Sequence, residues 1–190
     1  MIPTAEKYAT VGRRIVAIIV DSLIVVSPFL AVYFAVEYAP FSFLAWSATV
    51  DFVFEAVGIF AFVIYTVSFH AIYSQTPGKM LMGLKLRVIK DDGAPVGWPR
   101  ALIRDSVWIL LAVLDFAACF ETYLINGVFS ESYSPFAIST LVITALWAIL
   151  LFGSVLNHYQ HRGFHDRLAG TVVVNLKAER LAEPLPERLI

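Results

Sequence analysis

Arginines and aspartates set into apolar sequence are the residues of this chain best placed to do chemistry. Asp21 is the only side chain expected to be ionised at neutral pH between Ile15 and Val36. A carboxylate in such surroundings is costly unless a cation, water or a proton compensates it. Two chemistries are open to it: reversible protonation coupled to cation binding, or a fixed ion pair that locks helices together. Several arginines fall at the same end of the hydrophobic segments, which favours the fixed pair. Arg14 shares a helical face with Asp21, but helical rise puts it about 10.5 Å away, a long stretch for one side chain. Arg104 enters with a later helix from the same side and reaches a comparable depth. The expected bridge is therefore Asp21 to Arg104, with Arg14 nearer the headgroups and free to reach Asp166. Asp166 follows Gly163 and precedes a β-branched run, where a carboxylate organises a turn by accepting backbone amides or pairing with Arg14 or Arg167.

His158, His161 and His165, beside Asp166, are ligand types that zinc accepts, but Gly163 interrupts the helix that would align them, so no metal is expected. They read instead as an interfacial turn after the fourth stretch, where histidine, tyrosine and arginine sit at headgroup level. His70, near the end of a hydrophobic segment, reads as a packing residue. Lys79 after Gly78 resembles the end of a phosphate loop, yet Tyr73 stands where that motif needs glycine and Met80 where it needs Ser or Thr. No serine, cysteine or histidine forms a nucleophile and base constellation, so neither an enzyme nor a cofactor is expected. Cys119 is the one cysteine and cannot form an internal disulfide.

The elements that must position these groups are membrane helices. The chain has 190 residues, 59% of them hydrophobic and only 15% charged, against about a quarter charged in soluble domains. A net charge of −1 gives no reason to expect a nucleic-acid partner. Four stretches, about 15 to 38, 52 to 74, 101 to 120 and 137 to 157, are long enough to span a bilayer core of about 30 Å. The first is too long for a signal-peptide core and lacks a small-residue cleavage site. All 14 lysines and arginines precede the first stretch, lie between the second and third or in the opening turn of the third, or follow the fourth. The other two connections hold or adjoin Glu37, Asp51, Glu55, Asp115, Glu121 and Glu131. The positive-inside rule then predicts that both termini and the middle loop are cytoplasmic. Within that loop Leu84, Leu86 and Val88 alternate with polar residues, and "TVVVNL" follows the fourth stretch, so a small cytoplasmic sheet pairing 84–90 with 171–176 is expected. The loop's basic residues either set topology alone or touch anionic headgroups. Fold class is thus an all-α membrane protein with four transmembrane helices and one small β element. Residues 1–177 form a single membrane domain, and 178–190 a mobile tail.

Arg14, Ala17 and Asp21 on the first helix, "TPGKMLMGLKLRV" after the second, "RALIR" opening the third and "RGFHDRLAGTVVV" after the fourth together resemble the RDD family of bacterial and archaeal membrane proteins. That family takes its name from one arginine and two aspartates, which correspond here to Arg14, Asp21 and Asp166. The resemblance implies a prokaryotic cytoplasmic-membrane protein and carries over no catalytic residue. Cation/proton antiport has been suggested for some members, and others look like accessory proteins of larger assemblies. Four helices without a visible internal repeat leave little room for an independent transporter, so transport through Asp21 would call for a homo-oligomer. An accessory or assembly subunit, held together by a network of Arg14, Asp21, Arg104 and Asp166 and associating through its helices with a larger membrane complex, is the expected role. Phe34, Phe41, Phe43, Trp46, Phe52 and Phe54 make the first outer connection and its flanks densely aromatic, as an interfacial belt or a partner contact would be.

Overall fold

The structure, a computed structural model, describes residues 8–38, 48–89, 94–126, 135–156 and 162–178. Four long helices are present: α1 (Val11–Glu37), α2 (Ala48–Tyr73), α4 (Gly97–Asn126) and α5 (Pro135–Leu156). Each is long and apolar enough to cross a membrane. Their outward faces carry large exposed hydrophobics such as Ile19, Leu23, Ile64, Leu110 and Ile149, as lipid contact requires and water would penalise. α1 starts before the expected stretch, and α4 runs beyond both ends of its own, so Arg14 and Arg104 are carried by regular helix.

Between and after these, the described residues include two five-residue helices and two strands: α3 (Pro77–Leu81), β1 (Leu84–Val88), α6 (Phe164–Leu168) and β2 (Thr171–Asn175). Thr76 caps α3, its hydroxyl accepting the Lys79 amide at 3.4 Å, and Pro77 occupies the first helical position, where no amide is needed. The strands pair antiparallel, with Leu84 opposite Asn175, Leu86 opposite Val173 and Val88 opposite Thr171. Leu84, Leu86 and Val88 are buried while Lys85 and Arg87 are half-buried, the alternation read from the sequence. Gly83 and Gly170, at φ +65° and +64°, turn the chain into β1 and β2 through a left-handed conformation that other residues adopt only with strain.

The chain divides into two compact units. The first comprises Met1–Asp21, Val67–Arg104 and Leu150–Ile190, and so gathers the start of α1, the end of α2, the start of α4 and the end of α5 around the sheet. Its edges are stitched by backbone bonds: Ala9 N–H donates to Val173 O at 3.1 Å, and Leu86 N–H to Ser74 O at 2.8 Å. The second comprises Ser22–Thr66 and Asp105–Ile149 and is packed by aromatic pairs. Phe29 meets Phe54 edge-on at 5.2 Å, and Phe52 stacks on Tyr123 at 5.0 Å, arrangements that add to simple area burial. Of the aromatic residues noted in the first outer connection, Phe41, Phe43 and Trp46 lie outside the described residues, as do 179–190 of the expected tail.

Candidate functional site

The first unit holds a cluster of buried charge with Asp166 at its centre. Asp166 sits at the third position of α6, and its Oδ2 accepts the Gly163 amide at 3.3 Å, the carboxylate half of a capping box. The same oxygen accepts Arg14 Nη1 at 2.9 Å, while Oδ1 accepts Arg104 Nε at 3.0 Å. Asp166 is completely buried. Burial by itself raises a carboxyl pKa, but His165, Arg104 and Arg14 outweigh it and hold Asp166 well below the usual carboxylate range.

Arg104 ties this carboxylate to two histidines. Its Nη1 lies 3.1 Å from His70 Nδ1, and its Nη2 lies 3.0 Å from His165 Nε2. His165 Nε2 is also 3.3 Å from Asp166 Oδ1. Burial lowers the His165 pKa, and the charges of Arg104 and Lys79 lower it further against the opposing pull of Asp166. A neutral ring that accepts from Arg104 at Nε2 carries its proton on Nδ1, and among the described residues Nδ1 has no hydrogen-bond partner. Gly163 makes room for the ring, since a Cβ there would stand 2.7 Å from His165 Cε1 and 2.9 Å from Nδ1. On its other side His70 bonds Lys79, whose Nζ meets His70 Nε2. Lys79 is therefore buried within the unit, away from the headgroup contact considered for the loop.

Asp21 takes a different set of donors. Thr76 Oγ1 donates to its Oδ2 at 2.5 Å, and the Gly78 amide donates to its Oδ1 at 2.7 Å. Here α3 presses directly on α1: a Cβ on Gly78 would stand 2.2 Å from the Ala17 carbonyl oxygen and 2.8 Å from Asp21 Cγ. The Thr-Pro-Gly sequence is thus both a helix start and a receptor for the carboxylate of α1. Arg14 reaches Asp166 as expected. Arg104 also bonds Asp166, and Asp21 also accepts from Thr76 and Gly78, contacts that add to those expected from the sequence.

Of the histidines considered as metal ligands, His165 belongs to this cluster, and His158 and His161 lie outside the described residues. Among the described residues no group of three or more His, Cys, Asp or Glu side chains is placed to hold a metal ion. Thr76, Gly78, His70 and Lys79 join the site without having been singled out for it. The available signal was the cap sequence Thr76-Pro77-Gly78, which fixes where the Thr76 hydroxyl and the Gly78 amide point.

The second unit has its own polar feature, a cavity of about 540 Å³ lined by apolar residues such as Phe29, Phe62 and Trp108 and by Glu55, Asp115 and Thr144. Asp115 is hydrogen-bonded to Thr140, and Cys119 to Glu55. Both carboxylates lie within candidate membrane spans.

The RDD family model matches residues 8–170, which include the whole charge cluster. No curated protein and no solved structure matches the chain.

Proposed function

Because the chain belongs to the RDD family of multi-pass membrane proteins, we propose that it is a non-enzymatic subunit of the prokaryotic cytoplasmic membrane that associates through its helices with a larger membrane complex. In this reading its charge cluster is a clamp on the helix ends. The supporting observation is the state of Asp166, whose two oxygens are taken up by Arg14, Arg104 and the Gly163 amide. A carboxylate so fully bonded to its own chain is suited to holding elements together and poorly suited to exchanging an ion. Sidedness follows from the basic residues, with both termini and the middle loop in the cytoplasm. Purification from native membranes in mild detergent tests the role. A stoichiometric, larger membrane partner is the expected result; a homo-oligomer that moves cations when reconstituted refutes it.

One observation favours a second reading, cation/proton transport. The cavity of the second unit places Glu55 and Asp115 against a volume of about 540 Å³ inside the spans, as a site for reversible protonation would. In proton-loaded liposomes, transport by this route predicts cation-driven proton release that Glu55→Gln and Asp115→Asn abolish. Transport through Asp21 predicts that Asp21→Asn abolishes it instead. Absence of any flux from the reconstituted parent eliminates both.

A further inference from the structure

A second basic feature of the first unit adjoins the buried cluster without sharing its charged side chains. Val88, Ile89, Arg100, Arg162, Ala169 and Gly170 line a cavity of about 270 Å³ at the end of the sheet. It has the volume of about nine water molecules, enough for a compact charged group and too small for most drug-sized ligands. Arg162 is set in its wall by two carbonyls, donating from Nε to Thr171 O at 3.0 Å and from Nη2 to Asp166 O at 3.4 Å. Neither contact neutralises its charge. Arg100, half-buried in the first turn of α4, has no hydrogen bond or ion pair among the described residues. A cation there also stands at the positive end of a 30-residue helix whose first turn has no acidic residue. Two arginines and a helix start therefore concentrate positive charge on one small cavity.

We propose that this cavity binds the phosphate of an anionic lipid headgroup. Guanidinium forks match phosphate oxygens two at a time; Arg100 offers a whole fork, and Arg162 adds its charge and the donors its two carbonyl bonds leave over. Its position selects a lipid over a dissolved ion. Arg100 lies in the first turn of one candidate span and Arg162 six residues beyond the end of another, so both stand at one membrane edge. Ile89 in the cavity wall, Trp98 two residues before Arg100 and Leu168 next to Ala169 are all exposed apolar side chains, suited to the acyl chains and interface that accompany a headgroup.

The test uses the full chain in mixed micelles, with melting in phosphatidylcholine as the baseline for each variant. Phosphatidylglycerol is titrated in, and in a separate arm inorganic phosphate is added without it. The parent should be stabilised by phosphatidylglycerol, and Arg100→Gln should weaken that apparent affinity about fivefold, the effect of one basic residue near a charged surface. Arg167→Gln removes the same charge from an exposed position outside the cavity and should leave the affinity at the parent's value. If Arg100→Gln does not accumulate, Arg100→Lys serves, with a weakened affinity expected because the fork is lost. An unchanged affinity in the Arg100 variant overturns the proposal. Equal losses in Arg100→Gln and Arg167→Gln would mean diffuse surface charge and overturn it as well. Stabilisation by inorganic phosphate alone, equal to that by the lipid, would overturn the lipid assignment.

Discussion

Gly78→Ala perturbs the point where α3 meets α1, and its cost can be worked from the geometry. The new Cβ would stand 2.2 Å from the Ala17 carbonyl oxygen, where ordinary contact begins at 3.4 Å. The obstacle is backbone, so no side-chain rotation relieves it, and the two helices must move apart by about 1 Å. Overpacking of this kind costs about 1–3 kcal/mol. The same movement lengthens the Gly78 amide bond to Asp21, now 2.7 Å, and a hydrogen bond to a charged group contributes about 1.5–3 kcal/mol. Since the two losses share one displacement, we expect about 3–5 kcal/mol together. At about 2–4 °C per kcal/mol for a chain of this size, the melting temperature should fall by about 10 °C. Intrinsic fluorescence of the detergent-solubilised protein measures it. Gly153→Ala is the matched control: nothing lies within 4 Å of its Cβ, and the helix interior should gain up to about 1 kcal/mol. A Gly78→Ala protein melting within about 2 °C of the parent would refute the close crossing and the role assigned to the Thr76-Pro77-Gly78 segment.

Asp166→Asn should cost about 3–5 kcal/mol by leaving Arg14 and Arg104 facing a neutral group, and a double-mutant cycle with Arg14→Gln should be non-additive; strictly additive losses would contradict the pair. Acidification should destabilise the fold in two steps. His165, held below its ordinary 6.5 when folded, makes the unfolded chain the better proton binder, so stability declines as pH falls below about 6.5 toward the folded value, and His165→Gln should remove that step from a pH series of melts. Asp166, held well below 3.8, contributes stability that is complete above that pH and is lost as pH falls from 3.8 through the folded value, a step that Asp166→Asn should abolish. A reporter fused after Ile190 or inserted at Gly93 should report one side of the membrane and one at Ser47 or Ser130 the other, and a shared side for Gly93 and Ser47 would break the four-span topology.

The spans and the sheet were legible because they depend on patterns the chain carries locally: uninterrupted apolar length, alternation in Leu84 to Val88, and β-branching in Thr171 to Val174. Arg14, Asp21, Arg104 and Asp166 were legible as participants because charge in apolar sequence must be compensated. Their partners were harder to read. Depth along a helix suggested Arg104 for Asp21, but depth constrains only one coordinate, and it gave no sign that Asp166 reaches the same guanidinium from a turn whose position no periodicity predicts. The donors to Asp21 include a backbone amide, which every non-proline residue has, so nothing in its type marked Gly78 as one of them. Lys79 was grouped with the loop's basic residues, as a topology or headgroup charge, yet α3 folds it inward onto His70. Glu55 and Asp115 were read mainly as evidence of sidedness, and their meeting at one cavity depends on how α2 and α4 pack, which sequence spacing does not specify.

The ion cluster also imposes an order on biosynthesis. Arg14 and Arg104 are made long before Asp166, and β2, which carries the partner strand of β1, follows directly behind that carboxylate. A ribosome delivers the chain from its N-terminus, so two guanidiniums destined for burial must wait, still hydrated, until α5 is in place and α6 emerges. Only then can neutralisation, sheet closure and desolvation proceed together. The last long helix is thus followed at once by the group that neutralises arginines on the earlier ones.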